Sequence, residues 1–350
     1  MLCFRKLTNF NKSFGSVRWT SSVKREFKEV EIKVPWGHVA GKWWEPYDTR
    51  PILTIHGWQD NCNTFDRLIP TLDKTVGFLA IDLPGQGYSS RLPPGMIYHY
   101  SNFILTVRSI TKSFHWPAVS LMGHSLGSIL SYVYSMLYPS EIDFLICLDA
   151  MKPMITSNKH IHMAKALDQF FKYNDYAIDS KEPPCYSIEE MRELISKPND
   201  NSILPEYTTY IMDRNIAPSK VQPGKYYFTR DPRIKTGGLI SFCQEEMVKL
   251  AENMKMPIFV MKASESSYYE KKEKYYQVLD VLKKASIDCD FHYVEGRHHL
   301  HLNNPEKISS LLNDFIQRHN VQDRSIGGIK EDIIRDFRPI FIEHTCKEVS

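Results

Sequence analysis

The chain has 350 residues, 42% of them apolar and 24% charged, which excludes a disordered or collagen-like composition and leaves room for a large core. Its 44 basic residues nearly balance 41 acidic ones, and the net charge of +3 gives no electrostatic case for nucleic acid. No apolar run reaches a membrane-spanning length, and the seven scattered cysteines, none with C-x-x-C spacing, suggest neither a zinc set nor a disulfide framework; a reducing compartment fits.

From Met1 to Arg25 there are six basic residues (Arg5, Lys6, Lys12, Arg18, Lys24 and Arg25) and no acidic one, among many Ser, Thr and Asn. This composition predicts a mitochondrial transit peptide or a basic leader over residues 1–27 and hence a matrix location, with a cytoplasmic or peroxisomal one as the alternative. Next, EVEIKVPW (29–36) and HVAGKWWEP (38–46) alternate around a Gly and predict an antiparallel hairpin. Short apolar runs follow at 52–56, 77–82, 118–123, 144–150, 257–262 and 290–296. Such runs suit strands buried on both faces of a parallel sheet. Amphipathic stretches such as 125–138 and 305–319 lie between them or after the last one, so the pattern predicts an α/β fold with a mostly parallel, doubly wound sheet.

One connection is far too long. Between Ala150 and Pro257 lie roughly 105 residues, where a crossover needs about a dozen. Helical patterns at 161–175, 187–196 and 240–253 predict an inserted helical cap over 151–256, with Met and Tyr side chains lining an apolar pocket or packing the cap's own interior. The core is then expected over 28–150 and 257–320. An extension over 321–350 completes the chain, and its IKEDIIRDF portion has helical spacing.

Gly123-His124-Ser125-Leu126-Gly127 follows a predicted strand and opens a predicted helix, the context a nucleophile elbow requires. The serine must project from a strained turn while the backbone on either side passes close to strand and helix, which favours Gly at both flanks. A helix N-terminus at the serine also lends positive potential to an oxyanion. Serine needs a base at neutral pH. The stretch VEGRHHLHLNNPE (294–306) offers His298, His299 and His301; a metal site is the rival reading, disfavoured because the loop supplies no carboxylate ligand beside them.

Four stretches in register, HGWQDN (56–61), DLPGQGYS (82–89), GHSLG (123–127) and the histidine loop, resemble the α/β-hydrolase superfamily. With YYFTRDPR (226–233), the likeness is nearest to the serine hydrolase-like proteins of animals, the kraken group in insects, and spans roughly 28–318. It implies an α/β-hydrolase fold with Ser125 as nucleophile and His298 as base, His299 and His301 being structural. It also implies the backbone N–H groups of Trp58 and Leu126 as oxyanion donors, His56 as a brace of its loop, and a turn at 82–89. The chain departs from the family at the acid, because Ser266 stands where Asp is usual. Chain order favours Glu265, with Asp149 as the alternative and Glu270 further along. The resulting reading is a serine hydrolase of small to medium apolar carboxylic esters or thioesters, needing no metal, nucleotide or organic cofactor. The alternative is a ligand-binding or receptor-like hydrolase fold with a weak or vestigial triad.

Overall fold

A computed structural model describes residues 25–155, 159–179, 182–236, 242–319 and 328–335. Residues 1–24 of the expected leader lie outside these. Arg25, counted among the leader's charges, is instead buried, and its guanidinium donates to the carbonyls of Glu45, Ile69 and Leu72. The folded part therefore includes this residue.

Eight strands form the central sheet. They are β1 (Phe27–Val34), β2 (Gly37–Trp44), β3 (Ile52–Ile55), β4 (Phe78–Ile81), β5 (Val119–His124) and β6 (Ile142–Leu148), then, beyond a short hairpin of β7 (Ile216–Pro218) and β8 (Tyr226–Phe228), β9 (Ile258–Ala263) and β10 (Cys289–Val294). The order across the sheet is β1-β2-β4-β3-β5-β6-β9-β10. β1 and β2 pair antiparallel, as do β2 and β4, and the remaining neighbours run parallel.

The continuous apolar runs are explained by cores on both faces. Leu53, Ile55, Leu121, Leu145 and Val260 pack on one side with the helices Tyr100–Ser113, Leu126–Leu137 and Lys272–Ala285. Their chain neighbours Ile52, Met122, Ile146 and Phe259 pack on the other with Phe65, Leu68 and the helix Ser309–Arg318. Alternation of side-chain direction along a strand divides the two sets.

The β6–β9 insertion contains the helices Lys159–Ile178, Ile188–Ser196 and Thr208–Asn215 and the β7–β8 hairpin. Ser187 and Glu190 form a reciprocal capping box that starts the second of these. The last helix before β9, Gln244–Ala251, behaves differently: Met247, Ala251 and Met254 join the same core as Ile258 and Leu279. In the 328–335 segment the helical spacing yields only a single turn, Glu331–Ile333, after which Ile334 bridges Val30 at the sheet edge. No described helix is long and apolar enough to cross a membrane.

Buried ion pairs fix the insertion to the sheet. Arg214 donates two hydrogen bonds to Asp82, at 3.0 and 2.7 Å, and one to Glu29 at 2.6 Å. Although burial raises a carboxyl pKa, the Arg214 charge holds Asp82 below the usual range. In the 226–233 stretch, Asp231 accepts from Tyr98 and Arg233, and Arg233 also donates to the carbonyls of Leu92, Pro93 and Met96. Breaking such a buried pair costs about 3–5 kcal/mol, because the remaining charge is left uncompensated.

Candidate active site

Ser125 stands between β5 and the helix Leu126–Leu137 with φ 52° and ψ −114°, a strained turn for a side chain with a Cβ. The flanking glycines are required by close approach. A Cβ on Gly123 would overlap the Gly127 carbonyl, and one on Gly127 would overlap the Ile55 carbonyl oxygen. The turn is held by Ser125 N–H donating to Leu148 O at 3.0 Å and by Ser128 Oγ donating to Gly123 O at 2.5 Å.

His298 follows β10 and folds back over the elbow, where its Nε2 lies 2.9 Å from Ser125 Oγ. Its other nitrogen, Nδ1, is hydrogen-bonded to Asp149 Oδ2, just past the end of β6. Asp149 also has a positive φ, 59°, a region Asp tolerates better than most residues. Its Oδ1 accepts from Lys262 Nζ and from Ala263 N–H, both at 2.8 Å, and its Oδ2 accepts from Ser266 Oγ. Burial alone would raise this carboxyl, but the hydrogen bond and charge of His298 and then the charge of Lys262 hold it below its ordinary value.

Glu265, expected to orient His298, does not face it. Its carboxylate is about half exposed, 3.6 Å from Arg297 Nε. The turn after β9 directs Ser266 toward Asp149 and leaves Glu265 pointing outward, so the residue in the usual acid position bonds to the carboxylate rather than replacing it. Glu270 is buried against Lys152 at 2.6 Å and accepts from Ile155 N–H, a structural pair. Of the three carboxylates considered, Asp149 is the one beside the base.

Trp58 and Leu126, the expected oxyanion donors, both line the cavity with Ser125. Leu126 opens the helix, so its N–H has no intrahelical acceptor, and Trp58 follows Gly57, where an added Cβ would lie 3.3 Å from Ser125 Cβ. Trp58 Nε1 donates to Ile234 O at 3.0 Å and ties this loop to the insertion. His56 braces the same loop, with Nε2 accepting from Leu83 N–H and Nδ1 donating to Gly57 O. His299 and His301 are buried and bond to Ser202 and Thr64, and His299 also lines the cavity beside His298.

Ser125 and His298 open on a cavity of about 360 Å³ lined mainly by apolar groups. Met151, Met154 and Ile234 come from the insertion, but the lining tyrosines (Tyr98, Tyr100, Tyr268, Tyr269 and Tyr275) come from outside 151–256. The two lysines at the wall are neutralised, Lys152 by Glu270 and Lys262 by Asp149. Lys262 escaped the sequence reading, though a lysine ending the apolar run PIFVMK already implies a buried partner.

Residues 50–305 match the family described as the alpha/beta hydrolase fold. The chain belongs to the α/β-hydrolase family. Among curated hydrolases, a probable serine hydrolase of Drosophila melanogaster is 33% identical over 83% of this chain and 88% of its own length. A serine hydrolase-like protein of Danio rerio is 30% identical over 85% of this chain and 91% of its own. In fold the hydrolase resembles a hypothetical protein from Pseudomonas aeruginosa (TM-score 0.71, 24% identity, 83% of this chain and 98% of that one). It also resembles the thioesterase domain from the curacin biosynthetic pathway (TM-score 0.65, 19% identity, 82% and 99%).

Proposed function

We propose that the protein hydrolyses small to medium apolar carboxylic esters or thioesters through an acyl-enzyme intermediate on Ser125. The observation that carries this reading is the hydrogen-bonded series Ser125–His298–Asp149 opening on an apolar cavity. Ser125 Oγ attacks the carbonyl carbon as its proton passes to His298 Nε2, and Asp149 stabilises the imidazolium. The N–H groups of Leu126 and Trp58 take up the oxyanion. Collapse expels the alcohol or thiol, which receives the proton from His298, and water attacks the acyl-enzyme by the same route. Because both wall lysines are already paired, the cavity offers no spare charge, which favours neutral, apolar acyl groups. The binding-only alternative rests on the lack of an acid after β9 and on the large cap, and the hydrogen bond of Asp149 to His298 speaks against the first of these.

A fluorophosphonate probe tests the reading. It should label Ser125 in the wild type with loss of p-nitrophenyl ester turnover, and label nothing in Ser125→Ala. Turnover surviving in Ser125→Ala would refute it. The matrix location expected from the basic leader belongs to the same proposal. Fusion of residues 1–27 to a fluorescent protein should give a mitochondrial signal, and a diffuse one would count against it.

A further inference from the structure

Beside the elbow, four buried side chains form a cluster that the hydrolytic mechanism leaves unused, Asp60, His124, His299 and His301, of which His124 and His299 reach the wall of the cavity. Each histidine has one nitrogen engaged. His124 Nε2 lies 3.0 Å from the His298 carbonyl, which can only accept, so this nitrogen carries the proton and Nδ1 presents a lone pair. His299 Nδ1 is 2.8 Å from Ser202 Oγ, and His301 Nε2 is 2.9 Å from Thr64 Oγ1. The opposite nitrogens of His124 and His301 have no hydrogen-bond partner among the described residues, and neither has Asp60 Oδ2. Coordinating atoms of Asp60, His124 and His299 all lie within 4.8 Å of one another, with His299 Nε2 3.6 Å from Asp60 Oδ2.

We propose that Asp60, His124 and His299 bind one divalent transition-metal ion, zinc being the best fit to two imidazoles and a carboxylate. Zinc takes such N and O ligands in tetrahedral sets, and a water supplies the fourth position. The arrangement has the outer partners a ligating histidine needs, a backbone carbonyl and a hydroxyl holding the ring nitrogens that do not coordinate. A cation also answers a question the protein alone leaves open. Asp60 is 4% exposed, its Oδ1 accepts from Asn61 N–H, and no Lys or Arg pairs with it among the described residues. A buried carboxylate in that state is costly unless it gains a proton or a cation. The ion would join the loop after β3, the elbow and the His298 loop, and so hold the base over the nucleophile without touching substrate. The proposal departs from the expectation of no metal, which rests on the lack of a carboxylate partner for the histidines in their own loop; Asp60 arrives from the HGWQDN loop.

The test is metal binding by the full-length chain after chelator treatment and dialysis, and it does not depend on the hydrolytic reading. Zinc titration should give one equivalent and raise the thermal midpoint. Asp60→Asn and His299→Gln should each weaken binding by more than the roughly 10- to 100-fold that loss of an outer partner costs. Cobalt bound to the unmutated chain should show tetrahedral ligand-field bands without thiolate charge-transfer bands, a readout that survives if the variants fail to fold. No stoichiometric binding, binding unchanged in both variants, thiolate bands, or a crystal structure grown with zinc that shows only water on these atoms would each overturn the proposal.

Discussion

The nucleophile and the acid sit at the ends of neighbouring strands, β5 and β6, and both have positive φ, yet they are held in different ways. Ser125 is placed by five consecutive residues, since Gly123 and Gly127 permit the turn and the following helix fixes its direction. Asp149 is placed by Lys262, Ala263, Ser266 and His298, more than a hundred residues away. A site element specified within one short segment can be read from that segment. One specified by groups that meet only in the folded sheet cannot.

The largest expected effect lies on the nucleophile side. Ser125→Ala and His298→Ala should each remove nearly all ester turnover, on the order of 10⁶-fold, and the double variant should lose little more, because the pair acts as a unit. Losses that multiplied would separate the two residues and break the comparison at its firmer end.

Lys262→Met probes the acid's distant support. The buried pair it breaks should cost about 3–5 kcal/mol in denaturant unfolding, unless Asp149 takes up a proton instead. In the wild type, stabilisation by the depressed Asp149 carboxyl is present above the unfolded value of about 3.9 and lost as pH falls through its lower folded value. Removing the cation raises the folded value, so both stability and kcat/KM should begin to fall at a higher pH in the variant. A pH profile superimposable on the wild type would show that Lys262 does not support Asp149.

The smallest effect is expected from Glu265→Gln. Its exposed pairing with Arg297 is worth about 0–1 kcal/mol, and turnover should stay near the wild-type rate. A large loss would restore the assignment that chain order suggested.

Much of the fold was legible for the same reason as the elbow. Short apolar runs such as ILTI and FLAI, bounded by turn residues, suit strands covered on both faces, and the observed β3 and β4 coincide with them. The helix around Met191 was legible through the spacing of its apolar residues. The β7–β8 hairpin was not, because strands of three residues carry too little alternation to register. Nor could the sequence show that Arg25 is buried, since its partners are carbonyls of Glu45 and of the Ile69–Leu72 turn, 20 to 47 residues away. Asp149 was visible only as one of three carboxylates. Choosing among them needed the direction of the turn after β9, where a shift of one position separates Ser266, bonded to the acid, from Glu265, facing solvent.

The rate of fluorophosphonate labelling of Ser125 in Asp149→Asn, measured beside the wild type by mass spectrometry, tests the central claim most directly. The series Ser125–His298–Asp149 predicts a loss near 10⁴-fold with the fold retained, as expected when a neutral amide replaces the carboxylate that sets the tautomer of the base and stabilises its imidazolium. Labelling within tenfold of the wild type in a folded Asp149→Asn protein would contradict it.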